Sequence, residues 1–114
     1  MAEGPDTIVV PVRDLAAATA LYATFLGMAP SVESAWYVGF EAGGRHLGLD
    51  PNGHAAGMTG PVPYWRVRDI GAACKALVAA GATIRQDVRA VGGGRQVATL
   101  ADVDGNAIGL MQDD

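Results

Sequence analysis

Apolar positions along the chain run through one cycle of spacings and then repeat it. Residues 7–12, Thr-Ile-Val-Val-Pro-Val, form a short β-branched run that predicts a strand. Asp14 is placed to cap a helix from Leu15 to about Leu26, and Gly27 ends it. Leu15, Ala18, Tyr22, Phe25 and Leu26 recur at spacings of three and four, the apolar stripe of a helix lying on a sheet. From Met28 to Leu49 the pattern shifts to short apolar runs broken by Pro30, Ser34 and Gly43-Gly44, which predicts three strands in a meander. The first half therefore reads βαβββ.

Residues 51–61 are rich in glycine and proline, lack a period, and are expected to link two halves. The cycle then restarts. Residues 62–67 predict a strand, Asp69 caps a helix over 70–80, Gly81 closes it, and strands follow at about 83–88, 96–101 and 107–111. Val12-Arg13-Asp14-Leu15 superposes without a gap on Val67-Arg68-Asp69-Ile70. The turns at Gly43-Gly44 and Asp104-Gly105 are each followed four residues later by a glycine between apolar neighbours, Gly48 and Gly109. The fold class is α+β, two βαβββ modules (about 6–50 and 62–112) in one domain over 1–114. Each module is too small to bury its own sheet, so the two are expected to share a core.

Composition narrows the partners. Half of the residues are hydrophobic, too many for a disordered chain. The net charge is −4 and the eight Lys and Arg residues are scattered, which argues against nucleic acid. No apolar run approaches a membrane span, and the first residues do not resemble a signal peptide, so no membrane and a cytoplasmic location are expected. Cys74 is the only cysteine and lies among apolar residues at helical spacing, which predicts a buried, inert thiol. Gly92-Gly93-Gly94 shares only composition with a phosphate loop; no Lys-Ser/Thr follows, and a hairpin is expected.

The order and spacing of Val12-Arg13-Asp14-Leu15, Tyr22 to Leu26-Gly27, Val67-Arg68-Asp69-Ile70, Ala79-Ala80-Gly81-Ala82 and Asp102-Val103-Asp104-Gly105-Asn106 resemble the vicinal oxygen chelate superfamily of glyoxalases, ring-cleaving dioxygenases and bleomycin-resistance proteins. The resemblance runs from Thr7 to Gln112, with Val103 standing where the pattern usually has proline. It implies a cup-shaped mixed sheet, helices outside, a ligand site inside the cup, and a homodimer.

Enzymes of that superfamily hold a divalent metal through a residue in the first strand of each module and one, often Glu, in the last. The resemblance carries those positions to Thr7, Gly48, Val62 and Gly109. Glycine and valine offer no donor atom, and one threonine hydroxyl is a weak ligand. His46 and Asp50 flank Gly48 on one strand face, but Gly109 has only Ala107 and Met111 as such neighbours. A metal centre built from His46, Asp50 and His54 is a weaker reading than solvated histidines, so no metal and no cofactor are expected.

Alternation turns Thr7, Val9 and Pro11, and Val62, Tyr64 and Arg66, towards the cup, with Ile8, Val10, Val12 and Trp65 towards the helices. Thr7, Val9, His46, Tyr64, Arg66 and Met111 are the candidate ligand-binding residues. Tyr64 offers a ring and a hydroxyl, Arg66 a fixed charge for a ligand carboxylate, Met58 and Met111 adaptable apolar surface. Trp36, Tyr37 and Phe40 share one meander segment, Trp36 and Phe40 on one face and Tyr37 on the other; which face is the cup stays open. Glu41 reads as solvated, although a metal-free acid/base enzyme could use such a carboxylate.

The expected function is metal-free binding of a small organic molecule, an antibiotic or an aromatic metabolite. The alternative is a metal-dependent, glyoxalase-like lyase, isomerase or ring-cleaving dioxygenase, which requires ligand positions other than those above; a scaffold whose cup is filled by its own side chains is the third reading.

Overall fold

The computed structural model describes residues 2–114, with side chains from Gly4 onward. Ten elements follow one another: β1 (Ala2–Pro11), α1 (Leu15–Leu26), β2 (Val32–Glu33), β3 (Val38–Ala42), β4 (Arg45–Asp50), β5 (Val62–Val67), α2 (Ile70–Ala79), β6 (Thr83–Gly92), β7 (Arg95–Ala101) and β8 (Ala107–Asp113). They divide into two compact units, residues 6–62 and residues 63–114 with the start of β1. Each unit holds one βαβββ module, so the chain is α+β as expected. Among the described residues no helix is long and apolar enough to cross a membrane.

In the first unit the strand order is β2-β3-β4-β1, an antiparallel meander with β1 added in parallel. Gly43 and Gly44 form the two-residue turn between β3 and β4, both with positive φ, as a tight hairpin demands. That turn sets Glu41 opposite His46 and Gly39 opposite Gly48. One face of the sheet packs on α1: Val38, Phe40 and Leu49 are buried with Val12, and Val10, Leu47, Leu15, Ala18, Tyr22, Ala23 and Leu26 complete the cluster. Phe25 does not belong to it; it is 79% exposed, and Ala23 takes the core position instead. The apolar stripe is thus narrower than its spacing implies, because the helix rests on a short, small sheet. Ile8, assigned to the helix side by alternation, lies outside this core and is 40% exposed.

The Asp14 carboxylate accepts from the Ala17 backbone N–H at 3.0 Å, and Gly27 closes α1 in the left-handed conformation with its N–H on the Ala23 carbonyl. Asp69 caps α2 in the same way through Ala72. In the second unit the order is β5-β8-β7-β6, with β5 parallel to β8. Val67, Ile70, Ala73, Cys74, Ala98, Leu100 and Leu110 form its core, with Trp65, Leu77, Ala82 and Ile108 against it. Burial, helped by the Asp87 carboxylate, pushes the Cys74 thiol up, which favours its protonated form.

Several boundaries differ from the expected ones. β1 begins at Ala2 rather than Thr7, and β6 runs on to Gly92, where Gly92-Gly93-Gly94 turn the chain into β7. β6 keeps pairing with β7 through shifts in register, which lets a polar, largely exposed strand extend without a periodic apolar face. The segment after β4 is a series of tight turns, in which the Asp50 side chain accepts from the Asn52 N–H at 2.8 Å and Gly53 packs beneath Pro11 and Met58.

Candidate functional site

Each module leaves one sheet face without a helix. Because side chains alternate, the residues between the core positions share that face. In the first module these are Thr7 and Val9 of β1, His46 and Gly48 of β4, and Gly39 and Glu41 of β3, with Tyr37 just before β3. Phe40 is fully buried on the α1 side and Trp36 lies in the preceding bend, 72% exposed. Trp36 and Phe40 therefore do not share a strand face.

Gly39 and Gly48 are paired, and together they leave a patch of sheet with no side chain. Two rings lie across it. A Cβ on Gly48 would stand 2.0 Å from Tyr37 Oη, and one on Gly39 would stand 2.6 Å from His46 Cε1. The rings are nearly parallel, 4° between their planes, and Tyr37 Oη lies 2.6 Å from His46 Nε2. On the other side of the imidazole, His46 Nδ1 bonds Glu41 Oε1. A carboxylate only accepts, so Nδ1 carries the proton; in the neutral ring Nε2 then accepts from the Tyr37 hydroxyl. Glu41, His46 and Tyr37 thus form a continuous carboxylate–imidazole–phenol line.

This corrects two sequence expectations. His46 is not a freely solvated histidine, since its side chain is only 21% exposed and holds partners on both nitrogens. Glu41, although 59% exposed, is committed to His46. His54 also departs from the solvated reading: its Nδ1 is buried with no hydrogen-bond partner among the described residues. His46, Asp50 and His54 do not come together, and among the described residues no cluster of three His, Cys, Asp or Glu side chains could hold a metal.

The second module repeats the glycine arrangement with a different ring. Tyr64 pairs with Gly109 across β5 and β8, and a Cβ on Gly109 would stand 2.4 Å from Tyr64 Cδ1 and 2.7 Å from Cγ. Arg66 lies two residues on and pairs with the Asp113 carboxylate, which also takes Nε of Arg95 at 2.6 Å. The Arg95 hydrogen bonds first, with Arg66 adding to them, hold the Asp113 carboxyl down at about 2. Arg66 is thus an ion-paired strand residue in the structure. Met111, beside Arg66 in register, is fully buried.

The four positions that the resemblance assigns to a metal do not supply a donor set. Thr7 is buried and its hydroxyl donates to Asp6 at 3.4 Å, Val62 is an apolar core residue, and Gly48 and Gly109 each lie beneath a tyrosine ring. A carboxylate at either glycine would have to displace that ring.

The turn Asp102 to Asn106 is built around one carboxylate. Asp102 accepts from the backbone N–H groups of Asp104 and Asn106 and from the Asn106 amide, the last holding its carboxyl below the usual range most strongly. Val103, in place of proline, is exposed at the tip, and these bonds supply the rigidity.

The model of the Glyoxalase/Bleomycin resistance protein/Dioxygenase superfamily matches residues 4–110. No curated protein matches the chain. Among solved structures, it is similar to one described as an NAD-dependent benzaldehyde dehydrogenase from Legionella pneumophila, with 16% identity, TM-score 0.78, 96% of this chain and 100% of that one. It is also similar to methylmalonyl-CoA epimerase from Mycobacterium tuberculosis, with 20% identity, TM-score 0.71, 97% of this chain and 88% of that one. A third is the Mn(II)-bound glyoxalase from Novosphingobium aromaticivorans, with 20% identity and TM-score 0.71, where 99% of this chain spans 40% of that one. Likeness at such identities is of fold alone, and one fold carries many chemistries. With the family model spanning both βαβββ modules, the chain belongs to the glyoxalase/bleomycin resistance protein/dioxygenase superfamily.

Proposed function

We propose that this chain is a small-molecule-binding member of the superfamily that works without a metal, holding an organic ligand such as an antibiotic or an aromatic metabolite. The observation that carries the reading is the pair Gly48 under Tyr37 and Gly109 under Tyr64. Where a metal enzyme of the family would place carboxylates, each module offers a flat aromatic surface with a polar end, which suits an organic ring better than a cation. Thr7, Val9 and His46 are the contacts proposed for a ligand on the first module's own surface, and Tyr64 and Arg66, with Met111 behind them as apolar packing, those on the second module's own surface.

A thermal-shift titration across antibiotics and aromatic metabolites tests this. A ligand at about 100 times its Kd stabilises the chain by about 2.7 kcal/mol, and the expected rise in Tm is the same with and without EDTA. A panel in which nothing raises Tm, or a rise abolished by EDTA, contradicts the reading.

The proposal extends to a cytoplasmic homodimer. Leu21 and Phe25, one turn apart on α1, are 64% and 79% exposed, an apolar surface that a partner would cover. Sedimentation at micromolar concentration is expected to give the dimer mass; a monomer throughout contradicts it.

A further inference from the structure

The carboxylate–imidazole–phenol line on the first module does more than a binding surface requires. A buried or half-buried tyrosine needs one partner for its hydroxyl, and a strand histidine can meet water. Here a pair of registered glycines clears the sheet so that two rings lie flat and meet edge to edge, with Glu41 fixing the imidazole from behind. With Nδ1–H held by Glu41, Nε2 is the basic nitrogen, and it faces the Tyr37 hydroxyl. The result is a phenol whose proton has somewhere to go.

We propose that Glu41, His46 and Tyr37 form a proton relay that takes the hydroxyl proton of a bound phenol, so that the ligand is held as its phenolate. This rests on the reading of the chain as a small-molecule binder. The step balances within the chain and ligand. The Tyr37 O–H bond breaks and its proton passes to Nε2 of His46; the Tyr37 oxygen then takes the ligand's hydroxyl proton, whose bonding electron pair stays on the ligand oxygen. The imidazolium formed keeps its Nδ1–H on the Glu41 carboxylate. Release reverses each transfer, and no oxidant, reductant or further reactant is needed.

Two features select a phenol. The patch is planar, which favours a flat ring over a branched aliphatic ligand. The net transfer runs from the ligand's hydroxyl to the imidazole, with Tyr37 regaining its proton, so it favours an acidic phenol, whereas an aliphatic alcohol would hold its proton too tightly. The relay is reachable, since the side chain of His46 is 21% and that of Glu41 59% exposed.

The test uses the full chain and 7-hydroxycoumarin, a phenol whose acid and anion absorb at different wavelengths, at a pH where the free dye is mostly the acid. Equilibrium dialysis measures binding and absorbance measures ionisation. The expected result is a ratio of anion to acid in the bound dye at least about tenfold above that of the free dye. Tyr37→Phe and Glu41→Gln are expected to return that ratio towards the free-dye value while dialysis still detects the dye. Gly48→Ala, which leaves the relay residues unchanged but forces the Tyr37 ring away, is expected to do the same, and it serves if Tyr37→Phe does not fold. Dye bound without ionising, or ionised as fully by Tyr37→Phe as by the parent chain, overturns the relay and leaves the binding reading standing. Failure of the dye to bind at about 1 mM also overturns the relay, whereas only silence across the whole ligand panel ends the binding reading.

Discussion

Glycines 48 and 109 do the same work with different tolerance. At Gly48 an added Cβ meets the far end of Tyr37, an atom that can swing away; at Gly109 it meets Cγ and Cδ1 of Tyr64, close to that residue's own backbone. Gly48→Ala is therefore expected to cost less than about 1 kcal/mol and Gly109→Ala about 2 kcal/mol or more. Urea unfolding of the two variants checks the order, and equal costs would contradict the ring placement. Gly48 and Gly109 were legible in the sequence because the turns and the repeat mark them, whereas the ring over each was not. Tyr37 was set on the face opposite Phe40, but alternation alone does not say which of the two faces is the cup. The signal was present in Gly43-Gly44: a two-residue turn fixes Glu41 opposite His46, and a core Phe40 then sends Tyr37 to their side.

Asp113 gives a residue-scale prediction in pH. Its folded value, about 2, lies below the ordinary 3.8, so its contribution to stability is complete above 3.8 and is lost as pH falls through about 2. At neutral pH, Asp113→Asn is expected to lower stability by no more than about 1 kcal/mol, since the pair is partly solvated. The difference from the parent chain should shrink between pH 3.8 and about 2. A constant difference across that interval in acid titrations of Tm would assign the loss to packing instead.

At the scale of elements, helices were the most legible part, since α1 has the expected bounds and α2 ends within a residue of them. Their signals are local: an aspartate cap, a spacing of three and four, a closing glycine. Asp14→Ala and Asp69→Ala are each expected to cost about 1 kcal/mol, read as a lower Tm; no change would show that the cap bonds are worth no more than water. Strand ends were less legible. β6 extends beyond its apolar run because its neighbour β7 supplies hydrogen bonds to any backbone, whatever its side chains. Phe25 was misassigned for a related reason: spacing shows which residues share a helix face, but the width of the sheet below decides how many are covered.

At the scale of the whole molecule, the repeat was the most informative pattern. Two modules with the same element order, the same capping aspartate and the same glycine in the last strand carried the family assignment. The repeat also places a ring over that glycine twice, Tyr37 contributed from β3's side of one module and Tyr64 from β5 of the other. The proposed metal-free reading rests on that double placement. The most direct measurement is the metal content of the purified chain, prepared without chelators and analysed for zinc, nickel, manganese and iron. The account predicts far less than one metal per chain for all four; a stoichiometric metal, held by the parent chain, would contradict it.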